Sequence, residues 1–232
     1  MKKTLTVHAG LLLAMPLLAV DATAQEGDRI VVTPYAGVFL PAARVAETRV
    51  DAGSAMTLAG LKQQTAFASG LSASYSFNTF AGIEVSGAWA FSDAIMSPAL
   101  AGSVPGLSAS RHSSARVLMG SAKLMINLLP ITERAALRLG VGPAIVSRGG
   151  SAYTANSSGE FGGLTSPGGA ISLCSRIPMT DFLAIRLRAE NYMYSSNLTF
   201  RTTASPSETF TFGSKLQNDF IFSAGLQMVW WR

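Results

Sequence analysis

The sequence predicts an all-β chain: an eight-stranded antiparallel up-and-down transmembrane β-barrel with short periplasmic turns and long extracellular loops. Three observations predict it. The stretch from Ala66 to Phe91 alternates on both sides of Asn78-Thr79, with Phe67, Leu71, Ala73, Tyr75, Phe77, Ile83, Val85, Trp89 and Phe91 on one face. Small or polar residues and Glu84 hold the other face. Period-two alternation around a two-residue break is a β-hairpin. Its arms exceed the about 5–6 residues of an ordinary globular strand and suit the about 9–11 of a tilted membrane strand. Second, only 13% of residues are charged, against a usual share of about 25%. No apolar run after Ala24 is long enough for a membrane helix, so the grease must fill a core or meet lipid in alternating strands. Third, long and short connections alternate along the chain, as short periplasmic turns and longer outer loops do in membrane barrels.

Residues 1–24 read as a signal peptide and 25–232 as the barrel domain. Lys2 and Lys3 give a basic start, Leu11 to Val20 a short apolar core, and Ala22-Thr23-Ala24 a small-residue cleavage site. Ile30 to Leu40 is the first strand, apolar on both faces. Its Pro34 lacks a ladder donor and is expected near an end, an edge or a bulge. Pro41 to Gln64 reads as a long outer loop with a helical turn around Ala42–Arg49. The hairpin supplies strands two and three, and Ser92 to Arg111 is a second long loop.

Ser114 to Leu128 is strand four, with Leu118, Ala122, Leu124 and Ile126 against Ser121 and Lys123. Strand five sets Leu137, Leu139, Val141 and Ile145 against Arg138, Gly140 and Gly142. Arg148 to Ser166 reads as a Gly/Ser-rich loop. Strand six, Gly169 to Ile177, sets Ile171, Leu173 and Ile177 against Ser172, Cys174 and Arg176. Strand seven, from Phe182, sets Leu183, Ile185 and Leu187 against Arg186, Arg188, Glu190 and Tyr192. Ser195 to Leu216 is the last long loop. Strand eight, Asn218 to Trp231, sets Phe220, Phe222, Leu226, Met228 and Trp230 against Asp219, Ser223 and Gln227.

The inward face thus collects a charge network of Glu84, Lys123, Arg138, Arg176, Arg186, Arg188, Glu190 and Asp219. Eight strands leave a lumen that side chains nearly fill, and buried charges must pair. Glu84 and Lys123 fall on adjacent strands at matching depth and are expected to pair. The bland reading is an ion-pair plug; the sharper one is a narrow passage. Trp89, Phe91, Phe220 and Phe222 are assigned to one membrane-interface belt, and Phe77, Phe80, Phe182, Trp230 and Trp231 to the other. Arg116 falls on the nominal lipid face near the outer rim, where it either snorkels to lipopolysaccharide phosphates or sits in loop water.

The stretches Thr33-Pro34-Tyr35-Ala36-Gly37, Gly82-Ile83-Glu84-Val85-Ser86-Gly87, Ser121-Ala122-Lys123-Leu124-Met125, Leu187-Arg188-Ala189-Glu190-Asn191-Tyr192 and Phe222-Ser223-Ala224-Gly225-Leu226 resemble small bacterial outer-membrane β-barrel proteins of the OmpA/OmpX type. The resemblance covers nearly all of residues 25–232. It implies a place in the outer membrane of a Gram-negative envelope, contact with outer-membrane lipids and lipopolysaccharide, and handling by the barrel-assembly machinery. Such proteins usually end on an aromatic residue; here Trp231 and Arg232 follow Trp230.

On this reading the chain is a non-enzymatic membrane barrel, with any extracellular ligand met at its loops. Two alternatives stand beside it. His112-Ser113-Ser114 has the His-x-Ser spacing of some lipid A deacylases, which would make the chain a hydrolase using His112 and Ser114. A Ser–His pair also needs a group to orient its base, and the next acid, Glu133, falls near the opposite rim. The other alternative is a soluble periplasmic barrel binding an apolar ligand; it needs the greasy faces inward and Glu84, Lys123, Arg188 and Glu190 outside. One Cys and two His give no closed metal site, and no cofactor fingerprint is present. A formal net charge of +5 is spread along the chain without clusters, so nucleic acid is not expected as a partner.

Overall fold

Lipid offers nothing to hydrogen-bond a peptide group, so a membrane sheet must leave no edge. The computed structural model describes residues 30–51, 56–96, 113–128, 136–153, 159–180, 182–202, 209–212 and 215–231. Its strands are β1 (Ile30–Pro41), β2 (Ala46–Asp51), β3 (Met56–Gln63), β4 (Ala66–Ser76), β5 (Ala81–Met96), β6 (Ser113–Asn127) and β7 (Ala136–Gly149). They continue with β8 (Gly159–Gly162), β9 (Thr165–Pro178), β10 (Leu183–Ser196), β11 (Thr199–Thr202), β12 (Thr209–Thr211) and β13 (Lys215–Trp231). Eight of them, β1, β4, β5, β6, β7, β9, β10 and β13, form the closed antiparallel wall. Each pairs with its neighbour in sequence, and β1 closes on β13 from Ile30↔Trp231 to Pro41↔Asp219.

The hairpin Ala66–Phe91 is present, with arms of 11 and 16 residues paired from Phe67↔Phe91 to Ser76↔Gly82. Its turn is held by Asn78, whose Oδ1 accepts from the backbone N–H of Phe80 and of Ala81 at 2.8 Å each. Asn side chains stabilise turns in this way. Thr180 does the same at the β9–β10 turn, its Oγ1 accepting from the Leu183 N–H at 3.1 Å. These turns and both ends of the described wall mark one rim, called here the chain-end rim; the long connections mark the loop rim.

Outward positions are apolar and bare: Phe67, Val85, Phe91 and Leu118 are 55–64% exposed. Inward charges are shut away, with Glu84 at 0%, Glu190 at 1% and Lys123 at 2%. That is the reverse of what a soluble barrel with a greasy interior requires. In β1 the structure assigns the faces that the sequence left open: Val31, Thr33, Tyr35 and Phe39 point in, Pro34, Val38 and Leu40 out.

Two expectations are corrected. Pro34 lies at no end, edge or bulge. It stands mid-wall with its ring outward, and the β1–β13 ladder lapses between Val32↔Met228 and Tyr35↔Gly225 without a change of register. A closed wall has no edge to offer, so the missing donor is absorbed by a local gap. No helical turn forms around Ala42–Arg49; β2 begins at Ala46 and pairs with β3, which continues onto β5 through Leu61↔Met96. Other expected loops also carry strands. β8, β11 and β12 form a separate three-stranded sheet at the loop rim.

This sheet helps cap the barrel. Val45, Leu61, Ala94, Ala115, Tyr153, Leu198, Phe200 and Phe212 form a buried cluster there, with Phe161 packed edge-on to Phe200 at 5.1 Å between ring centroids. Burial pushes the Tyr153 phenol up to about 12, the nearby Arg148 opposing it in part, so the ring stays uncharged at ordinary pH. The signal-peptide residues 1–24 lie outside the described residues.

The register makes a direct prediction. Leu71, outward in the middle of β4 and 50% exposed, should tolerate arginine badly. Unfolding from lipid vesicles in urea should show Leu71→Arg destabilised by about 2–4 kcal/mol, and Phe80→Arg in the turn by about 0–1 kcal/mol.

Candidate functional site

Strands β5 and β10 lie on diametrically opposite sides of the wall, four steps apart in the strand order. Their inward side chains nevertheless meet. Arg186 places an Nη2 at 2.5 Å from Glu84 Oε2, and Arg188 places its Nη2 at 3.3 Å from Glu84 Oε1. Lys123, opposite Glu84 in the β5–β6 ladder, has its Nζ at 3.1 Å from Glu84 Oε1 and also bonds Glu190, which reaches across from β10. Arg188 Nη1 lies 3.7 Å from Glu190 Oε2 and its Nη2 donates to Ser72 Oγ at 2.7 Å. Five of the eight sequence-predicted charges, Glu84, Lys123, Arg186, Arg188 and Glu190, therefore form one knot across the lumen.

The knot sits on a shelf of neutral groups. Ser86 and Ser121 share a 2.8 Å hydrogen bond beside Lys123. The Tyr35 ring lies 4.7 Å from the Arg188 guanidinium carbon, within cation–π range, and its hydroxyl donates to the Gly87 carbonyl at 3.1 Å. Gly70 makes this possible: a Cβ there would fall 2.4 Å from the Tyr35 ring.

The remaining three predicted charges lie elsewhere. Arg138 and Arg176 sit nearer the chain-end rim; Arg176 is paired with Arg186 in the β9–β10 ladder, and Arg138 with Cys174 in the β7–β9 ladder. Asp219 lies near the loop rim, where its Oδ2 accepts from Tyr194 and stands 3.5 Å from Arg148 Nη2. Arg148 also bonds the Tyr194 hydroxyl. Sequence reasoning missed Arg148 by ending strand five at Ile145. Continuing the same even-numbered alternation from Arg138 would have put it inside.

Between the two charged levels lies an apolar layer including Phe39, Val117, Met119, Val146, Tyr192 and Ile221. From the chain-end rim outward the lumen therefore runs charge, grease, charge, cap. Cys174 is buried and accepts from Arg186 Nη2 at 3.1 Å.

The interface aromatics divide by rim. Trp89, Phe91 and Phe222 are exposed outward toward the loop side, and half-buried Phe220 stacks on Phe222 with centroids 6.4 Å apart. Phe77, Phe80 and Phe182 are exposed in the chain-end turns. Trp230 and Trp231 end β13 at that rim; their side chains are outside the described residues. Arg116 is exposed and outward, paired with Phe91 and Gly149.

Of the suggested Ser–His pair, His112 lies outside the described residues. Ser114 is exposed on the outer face, its Oγ 2.9 Å from Ser151 Oγ. Its described hydrogen-bond partners are Ser151 atoms and no acid or base.

No protein-family model matches the chain, and no curated protein matches it. Solved structures do. The outer membrane protein OprG from Pseudomonas aeruginosa is 12% identical with a TM-score of 0.60, the match covering 86% of this chain and 95% of that one. Outer membrane protein AlkL, determined in DMPC bilayers, is 13% identical with a TM-score of 0.60, covering 90% of this chain and 94% of that one. The fold is that of a small outer-membrane β-barrel, as the resemblance to the OmpA/OmpX type implied.

Removing one member of the knot exposes its cost. Breaking a buried ion pair one-sidedly typically costs about 3–5 kcal/mol, since the partner charge stays buried. Glu84→Leu should fall in that range in a urea titration. Adding Lys123→Met should recover part of the loss and not all, because Arg186 and Arg188 remain.

Proposed function

We propose that the chain is a non-enzymatic integral protein of a Gram-negative outer membrane, whose wall anchors a capped surface for contact with the outside. The observation that carries this reading is the bridge from Glu84 to Arg186 and Arg188, which joins opposite walls beneath an apolar exterior. Ion pairs across the lumen, followed by an apolar layer that includes Phe39, Met119 and Ile221, support a closed lumen. What remains for function is the outer wall and the loop end.

On the wall, Arg116 and Asp93 are the charged residues at outward positions among the described barrel residues, both toward the loop rim. Arg116 beside Phe91 suits a phosphate-bearing lipid such as lipopolysaccharide, the aromatic ring at the hydrocarbon boundary and the guanidinium above it. At the loop rim, the cap sheet and the β2–β3 extension offer an ordered surface to an extracellular ligand. Delivery by the barrel-assembly machinery completes the set of partners.

Planar bilayers containing the purified protein should show small or no currents. Large, steady open-channel steps would overturn the closed-lumen reading.

The hydrolase alternative has its own check. Lipid A from cells expressing the wild type and from cells expressing Ser114→Ala should carry the same acyl pattern as lipid A from cells with neither. Loss of an acyl chain with the wild type alone would replace the proposal by the enzyme.

A further inference from the structure

A guanidinium and four hydroxyls gather on the outer face of β6, β7 and β9, close under the loop rim. Alternation places Ser114, Arg116, Ser147 and Thr165 there, in step with the lipid-facing Leu118, Ile145 and Ile171. Arg116 stands opposite Gly149 in the β6–β7 ladder, and Ser147 opposite Thr165 in the β7–β9 ladder. Same-face neighbours on a diagonal across a ladder are about 7–8 Å apart, so one ligand head can touch them all.

Two glycines shape the place. A Cβ at Gly149 would fall 3.2 Å from Arg116 Nε, so the arginine lies over the bare backbone of β7. Gly150, at a φ of 101°, turns the chain so that Ser151 Oγ comes to 2.9 Å from Ser114 Oγ. Ser147 Oγ and Thr165 Oγ1 form a second pair at 3.0 Å. Arg116 thus lies among hydroxyls. Among the described residues no acid pairs with it: Asp93, outward on β5, stands opposite Ser114, while Arg116 leans the other way over Gly149.

Water alone can solvate such groups. The wall beside and beneath them argues for a lipid. Phe91, opposite Arg116 on β5, is exposed at the same level. Farther down β6, Gly120 faces Gly87 of β5, and a Cβ at Gly87 would meet nothing within 4 Å. Leu71, Leu118 and Ile145, each about half exposed, flank this notch. It lies four residues along β6 from Arg116, about 13 Å into the apolar wall.

We infer that this face holds one lipid of the lipid A class, a phosphorylated sugar carrying several acyl chains. Its phosphate lies on Arg116, its sugar on the hydroxyl pairs and one acyl chain in the Gly87–Gly120 notch. The guanidinium fork matches phosphate oxygens. Hydroxyls that both donate and accept suit a sugar. A simple phospholipid supplies the phosphate without the sugar ring. The inference deepens the lipopolysaccharide contact proposed above and rests on that reading of the loop rim as the outer one. A bound lipid stabilises the folded barrel, because it binds the folded state and not the unfolded chain.

The test folds the full chain into phosphatidylcholine vesicles containing graded amounts of lipid A and follows the urea midpoint of unfolding. A parallel series replaces lipid A by phosphatidylglycerol at equal charge. In the wild type the midpoint should rise and saturate with lipid A, and rise less with phosphatidylglycerol. Arg116→Gln should lose the saturable rise, while Arg201→Gln, exposed on the cap strand β11, should keep it. Arg116→Lys keeps the charge without the fork and should raise half-saturation roughly tenfold; it serves if the Gln variant does not fold. Ser114→Val combined with Ser147→Val removes hydroxyls only. It should weaken the lipid A response and leave the phosphatidylglycerol response as it was. Equal responses to the two lipids, or in the wild type and both Arg116 variants, would mean a general effect of a negative surface and overturn the site. An unchanged lipid A titration in the double serine variant would overturn the place given to the sugar. No rise in the wild type would overturn the site with the membrane barrel still standing; failure to fold into vesicles of any composition would instead overturn the reading on which the inference rests.

Discussion

Hydrocarbon cannot accept or donate a hydrogen bond, and that constraint shapes every level of this molecule. It forces β1 onto β13, because an open sheet would leave a row of peptide groups unmatched. Closure with eight strands then fixes a lumen narrow enough for side chains from opposite walls to touch. Once the wall is closed, alternation along each strand sorts residues into lipid-facing and lumen-facing sets with no further choice. The cost of Pro34 follows from the same constraint. In a soluble sheet it would migrate to an edge; here it is confined to the middle of a wall, with the ladder broken locally around it.

A closed narrow lumen makes the interior polar groups dependent on each other. Glu84 is the centre of that dependence, since it meets Lys123 from the neighbouring strand and two arginines from the opposite one. Each of these charges would be costly alone. Their joint presence does not imply a more stable barrel than an apolar filling would give. It does tie the register of β5, β6 and β10 together, because a one-residue slip in any of them would turn its charges toward lipid.

Much of this is legible in the sequence alone. The hairpin Ala66–Phe91, the inward set from Glu84 to Asp219 and the apolar outward set all follow from period-two alternation, which is long and uninterrupted in membrane strands. Legibility failed where alternation is short or where both faces are apolar. β1 could not be oriented because Val31, Val32 and Phe39 give no contrast, and its inward Tyr35 was therefore missed as a partner of Arg188. Arg148 was lost to the glycines that follow it, although its parity with Arg138 places it inside. The cap strands β8, β11 and β12, of three or four residues each, are too short to show a period at all. They exist because Phe161, Phe200 and Phe212 find one another across distant connections, which is information carried by tertiary contact and not by local pattern.

The two ends of the lumen are built on opposite principles, and the difference bears on what each end does. At the loop rim an aromatic and aliphatic cluster stands over the Arg148–Tyr194–Asp219 group, in which Asp219 has its cation beside it. At the chain-end rim no such apolar cluster stands over the charges among the described residues. The outer end is thus self-sufficient, as a surface facing an unregulated exterior needs to be. The inner end instead gathers its arginines toward the mouth, Arg176 paired with Arg186 in the β9–β10 ladder, on the side from which the protein is assembled. A wall that must be apolar outside has no freedom to differ between its two ends; the lumen and the loops do, and it is there that this sequence distinguishes inside from out.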